Sequence, residues 1–125
     1  MFKILGVSSC SNFNKEHIVE AVSFNKEDTI KTMKELGVLR GIIYNTEDGL
    51  LEGVVLDKNI VSFDKEEILL AGYNTTGNSW CYGEFKDLDD LDYFLCEVRV
   101  DEGLVFSNKK LMFKIEKGLF IDMKY

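Results

Sequence analysis

From Val38 onward the chain is a succession of short β-branched and aromatic segments, and the connections between them are too short to carry a parallel crossover. Val38–Tyr44, Leu50–Leu56 and Ile60–Phe63 are separated by the turn-like clusters Thr46-Glu-Asp-Gly49 and Asp57-Lys-Asn59. Ser79–Phe85 follows a Gly77-Asn78 turn, and Tyr93–Val100, Leu104–Phe106, Leu111–Glu116 and Leu119–Lys124 come after it. In the last two, Leu111, Phe113 and Ile115 alternate with Met112, Lys114 and Glu116, and Lys117-Gly118 makes a tight connection. One face of that hairpin is expected to be buried and the other to meet water. The pattern predicts an α+β fold: mainly antiparallel sheet curling toward a barrel or half-barrel, with one or two helices near the N-terminus.

Those helices are read from caps and spacing. Asn25 is an N-cap, Glu27 and Asp28 sit in the first turn where the helix dipole favours negative charge, and Gly37 ends the helix. Ile30, Met33 and Leu36 recur at helical spacing and are expected to face a sheet. Phe2–Val7 reads as a strand leading into a loop at Ser8-Ser9-Cys10-Ser11-Asn12. A further short helix over Lys15–Val22 would turn Ile18, Val19 and Val22 inward. Asp64 and Glu67 have capping-box spacing for a short helix through Ile68–Leu70 closed by Gly72, with a strand as the competing reading. The chain contains no proline, so edge strands need charge or bulges for protection, and Lys114, Glu116, Asp122 and Lys124 stand where they can supply it. No internal repeat or low-complexity linker is visible.

At 125 residues the sequence matches a single globular domain spanning 1–125, and its 46% hydrophobic content is well above the range of disordered chains. Its apolar runs are far shorter than the roughly 20 residues that cross a bilayer, and the first residues do not resemble a secretory signal. The cytosol is the expected compartment. A lysine-heavy chain without proline fits a bacterial or phage origin.

Most catalytic equipment is missing. His17 is the sole histidine, which excludes a multi-histidine metal site and a two-histidine acid–base mechanism. Cys10, Cys81 and Cys96 are odd in number and widely spaced, so they make neither a disulfide framework nor a zinc signature; Cys81 and Cys96 read as small buried hydrophobes. Gly6-Val7-Ser8-Ser9-Cys10 lacks the final glycine of a nucleophile elbow. Asn78-Ser79-Trp80 resembles the Asn-Ser-Trp element of papain-like proteases but has no histidine near it. Asp87, Asp89, Asp90 and Asp92 begin like an EF-hand loop, yet Asp92 stands where glycine is needed and Val98 where glutamate is needed. No cofactor is implied.

Charge is the remaining signal. Between Tyr44 and Glu102 there are 15 acids and four bases, a local charge of −11 in a chain whose total is −7. Of the 15 bases only two are arginine, Arg40 and Arg99, which removes most bidentate phosphate-reading capacity and argues against direct nucleic-acid binding. A run of like charge repels itself and is stabilised by a basic partner. The candidate partner-binding residues are the acids Glu84, Asp87, Asp89, Asp90, Asp92, Asp101 and Glu102, with Tyr82, Tyr93 and Phe94 as aromatic anchors.

Residues Gly41 to Gly72, with two glycine-bearing strands, an acidic turn and Val61-Ser-Phe63 leading to Ile68 and Gly72, resemble the strand pattern of PRC-barrel domains. That resemblance covers about a quarter of the chain and implies a small regulatory binding module.

The leading expectation is a small acidic cytosolic protein-binding module, an inhibitor or immunity-type protein that occludes a basic site on a partner such as a nuclease or another nucleic-acid-binding protein. The alternative is a regulatory or small-ligand-binding β-barrel with Trp80 lining a pocket. The third is an enzyme using Cys10 as nucleophile with His17 as base.

Overall fold

The computed structural model describes residues 1–10, 15–65, 67–76 and 79–123; the side chains of 9, 10, 15 and 16 lie outside that description. The chain divides into two compact units, Met1–Phe63 and Asp64–Tyr125. The first contains β1 (Phe2–Cys10), β2 (Lys15–Ser23), α1 (Lys26–Leu36), β3 (Val38–Asn45), β4 (Leu51–Leu56) and β5 (Asn59–Val61). The second contains β6 (Ile68–Asn74), β7 (Ser79–Phe85), α2 (Leu88–Glu97), β8 (Glu102–Ser107), β9 (Lys110–Glu116) and β10 (Leu119–Asp122). Each unit holds one antiparallel five-stranded sheet, ordered β2-β1-β3-β4-β5 and β7-β6-β8-β9-β10. The α+β class is as expected; the barrel is not formed. Strands expected to run as one meander are divided at Phe63 between two sheets, and in neither do the two edge strands pair to close it.

The two units repeat one another. Both run strand, strand, helix, strand, strand, strand, and the strand orders coincide element for element. Gly6 pairs with Gly41 across β1 and β3 as Gly72 pairs with Gly103 across β6 and β8. Gly6 also faces Val19 where Gly72 faces Cys81. The register shift at Ile43/Tyr44 recurs at Val105/Phe106. Asp57 and Lys58 turn with φ of 48° and 70°, and Lys117 and Gly118 do so with 51° and 79°. The Lys58 amide donates to Leu39 O at 2.9 Å, and the Gly118 amide donates to Asp101 O at 2.9 Å. The cores match as well: Ile4, Val38, Ile43 and Val55 in the first unit stand where Leu70, Val100, Val105 and Ile115 stand in the second. The repeat escapes the sequence because few matched positions keep the same residue and the hairpin loops differ in length.

Helix α1 starts where its cap predicts. Asn25 Oδ1 accepts from the Asp28 amide at 2.8 Å, and Gly37, at φ 65°, closes the other end on Lys34 O and Met33 O. Its inward stripe, however, is Thr29 and Met33; Ile30 and Leu36 are exposed. Thr29 tolerates burial because its hydroxyl donates to Asn25 O at 2.8 Å and meets the Ser23 hydroxyl.

Four local expectations are corrected. Lys15–Val22 lies in strand β2, because pairing with β1 satisfies its backbone along nine residue pairs; Ser8 to Cys10 continue β1 for the same reason. Ile68 to Ala71 form strand β6, held between β7 and β8, so the helix reading of that segment gives way to its strand alternative. Tyr93 to Glu97 are helical and belong to α2, so the second helix lies far from the N-terminus.

Candidate functional site

Helix α2 begins at Asp87, whose carboxylate accepts from the Asp90 amide at 2.9 Å with an extended φ of −151°. The capping oxygen satisfies one of the unpaired first-turn amides, and Asp89 and Asp90 face the positive end of the helix dipole. Leu91 is buried and fixes the helix to the sheet, with Phe94 and Leu95 packed beside it. The last turn contains no base, and Glu97 stands at the negative end of the dipole. Local folding therefore explains Asp87 to Asp90 but not Asp92 or Glu97.

The acidity of the middle stretch resolves into parts of different meaning. Glu47 is neutralised by the Met1 amino group at 3.4 Å, Glu52 by Lys26 at 3.0 Å, Asp64 by Lys109 at 3.3 Å, Glu84 by Lys65 at 2.8 Å and Asp101 by Arg99 at 2.8 Å. Of the 15 acids, four belong to the first unit and eleven to the second. Among the described residues, Asp87, Asp89, Asp90, Asp92 and Glu97 have no ion-pair partner. Asp48, Asp57, Glu67 and Glu102 have no ion-pair partner among the described residues either, but they are scattered, and α2 with its cap carries the largest group of unmatched carboxylates.

An open groove of about 480 Å³ runs along this helix, lined by Glu84, Phe85, Lys86, Asp90, Tyr93, Phe94 and Glu97. Phe85 and Phe94 form its apolar wall, their ring centroids 5.2 Å apart at 54°. Tyr93 is 74% exposed. Asp90 precedes Phe94 by four residues and Glu97 follows Tyr93 by four, so both carboxylates share the helix face that carries the rings. On the strand side, Glu84 accepts from Lys65 Nζ at 2.8 Å and from Tyr82 Oη at 2.9 Å. The lysine holds the Glu84 carboxyl below its ordinary pKa, while burial and the Glu84 hydrogen bond push the Tyr82 phenol well up.

Of the residues singled out from sequence, Glu84, Asp90, Tyr93 and Phe94 come together in this groove. Asp87, Asp89 and Asp92 belong to the same helix and cap but do not line it. Tyr82 approaches through its hydrogen bond to Glu84. Asp101 is elsewhere and is structural: it is buried, accepting from the Thr75 amide and hydroxyl at 2.8 Å each and from Arg99 Nε at 2.8 Å. The Thr75 hydroxyl foremost, then its amide and Arg99, keep that carboxyl below the usual range. Glu102 accepts from the Lys117 amide at 3.3 Å. Phe85, Lys86 and Glu97 were missed. Reading Tyr93–Val100 as a strand hid Glu97, whereas a helix continued from Asp87 puts it one turn beyond Tyr93.

A second groove, of about 430 Å³, lies between the end of α2 and the β9–β10 turn, where Cys96, Arg99, Lys117 and Phe120 are among its lining. Trp80 lines neither groove. Cys96 is exposed, not buried as its apolar neighbours imply, because it projects from the outer face of α2. Cys81 is buried, and that burial raises its thiol pKa. His17 is exposed on strand β2 rather than inside a helix; the Cys10 thiol proposed to pair with it lies outside the described residues. Among the described residues no three His, Cys, Asp or Glu side chains converge on a metal position, and no helix is long and apolar enough to cross a membrane. No family model, curated protein or solved structure matches this chain.

Proposed function

We propose that this chain is a small acidic protein-binding module of the cytosol, of the inhibitor or immunity type, with α2 as its docking element for a basic protein surface. A cleft that binds nucleic acid, such as that of a nuclease, is the fitting target, and occlusion is the mode of action. No catalytic step is assigned.

The observation that carries this reading is the contrast between two equivalent helices. Helix α1 balances Lys26, Lys31 and Lys34 against Glu27, Asp28 and Glu35, and it caps, packs and terminates without net charge. Helix α2 occupies the same place in the repeated fold and has four acids and no base, with a fifth carboxylate as its cap. The fold is therefore satisfied by a neutral helix. Asp87, Asp89 and Asp90 serve the cap and the helix dipole, but Asp92 and Glu97, with no base beside them on the helix, add self-repulsion that folding does not require, and a cationic surface offsets it. Carboxylates speed encounter with such a surface, while Tyr93 and Phe94 supply apolar contact that slows release.

The test is capture from the native host on immobilised protein, comparing wild type with Asp89→Lys/Asp90→Lys/Asp92→Lys. Basic nucleic-acid-binding proteins are expected on the wild type alone and are expected to elute as salt rises. Retention of the same proteins by the triple variant would defeat the reading.

A further inference from the structure

We propose that the groove between α2 and β7 is a receptor for one arginine side chain of the partner, an inference that rests on the docking role of α2 and specifies its anchor. The groove combines two features that separately mean little. Its wall is aromatic, Phe94 tilted against Phe85, with the Tyr93 ring standing open to solvent. Its rim is anionic, with Asp90 and Glu97 unpaired one helical turn to either side of those rings.

A cation lying over an aromatic face is held by the ring quadrupole, and carboxylates at the edge take its hydrogens. Guanidinium suits this better than ammonium, because it is planar, stacks flat on a ring and presents a fork of donors to carboxylates on different sides. Lys86 also lines the groove, so the lining carries three carboxylates, Glu84, Asp90 and Glu97, to one base.

The ring wall is built for this place. An added Cβ on Gly83 would stand 2.5 Å from Phe85 Cζ and 2.8 Å from Cε2, so the absence of a side chain at 83 lets the Phe85 ring lie back over the strand where Phe94 meets it. The first unit has Ser23, Lys31 and Thr32 at the positions of Phe85, Tyr93 and Phe94. The repeated fold does not demand an aromatic cluster there, and the two units share no such groove chemistry.

The experiment measures binding of short oligo-arginine, oligo-lysine and oligo-citrulline peptides at low salt to wild type, Tyr93→Ala, Asp90→Asn/Glu97→Gln and the triple lysine variant above. Tyr93 is exposed, so its replacement leaves the fold intact, which the thermal midpoint checks. The expected result is tighter binding of arginine than of lysine peptide, no binding of citrulline, and a loss of about fivefold or more on the arginine peptide in Tyr93→Ala that erases the preference. Asp90→Asn/Glu97→Gln is expected to weaken arginine binding likewise. Equal affinity for arginine and lysine in the wild type, or undiminished arginine binding by Tyr93→Ala, overturns the receptor. If either occurs while the triple lysine variant still loses both peptides, α2 docking stands without it. If the wild type binds neither peptide, both ideas fall together.

Discussion

Gly72 and Gly103 face one another across β6 and β8 so closely that a Cβ on Gly72 would stand 2.8 Å from the Cα of Gly103. Gly6 and Gly41 repeat the relationship, with 2.7 Å between a Cβ built on Gly41 and the Cα of Gly6. The side chain lying nearest each close approach is also the same: Val100 Cγ1 is 3.0 Å from the Gly72 position, and Val38 Cγ1 is 3.0 Å from that of Gly6. A paired glycine under a valine is a local solution to crossing two central strands at short range, and the chain uses it twice. Together with the shared bulge, turn and cap, it identifies the units as two versions of one ββαβββ design.

Replacing Gly72 with alanine is expected to destabilise the protein by about 1–3 kcal/mol, because the new methyl meets backbone rather than a movable side chain. Gly6→Ala should do the same in the first unit. Urea unfolding measures it; an unchanged midpoint in both variants would mean that the strand register is wrong.

Loss of the α2 cap should cost about 1 kcal/mol in Asp87→Ala, while Asp87→Asn should be close to neutral because the amide oxygen still accepts from the Asp90 amide. The pair of thermal melts separates capping from charge. If asparagine proves as damaging as alanine, the role of Asp87 is electrostatic instead.

Asp101 should contribute to the acid limb of the stability profile. Its folded pKa lies below the unfolded value, so the stabilisation is fully present above the ordinary carboxylate range and is lost as pH falls through the folded pKa. Asp101→Asn is expected to lower stability at neutral pH and to flatten the decline in that acidic window. An unaltered pH profile would show that Thr75 and Arg99 do not hold this carboxylate.

Glu97→Lys should raise the thermal midpoint, since it removes an acid from the negative end of the helix dipole and adds a base there, worth a few tenths of a kcal/mol. The same change should weaken oligo-arginine binding. A gain in stability with no loss of binding would assign Glu97 to a merely solvated face.

Thiol labelling at neutral pH should modify Cys96 well before Cys81. Cys96 is exposed, whereas burial first, and the Asp101 charge second, raise the Cys81 pKa and deplete its thiolate. Peptide mapping of the labelled protein reads the order, and faster modification at Cys81 would contradict its buried placement.

Much of the local structure was legible. Asn25 and Gly37 bound α1 as their chemistry requires, Ser79 to Phe85 form a strand with the anticipated limits, and Lys117-Gly118 turns the last hairpin. The failures share a cause. Ile18, Val19 and Val22 have helical spacing, yet β1 offers that segment a continuous partner. Tyr93 to Val98 contain aromatic and β-branched residues that favour a strand, but the cap at Asp87 and the burial of Leu91 had already committed the segment to a helix. The groove was half visible, because its aromatic and acidic members lie close in sequence while Phe85 and Glu97 enter only once the helix is drawn.

Antiparallel character, the caps of α1, the tight turns and the regional excess of acid follow from the amino-acid sequence alone, since each depends on residues within a few positions of one another. Tertiary structure decided which glycines face each other, that the strands among the described residues form two sheets rather than one barrel, and which carboxylates keep their charge unmatched. Strand pairing and ion pairing join residues far apart in the chain, and their partners are chosen by the surfaces that burial brings together.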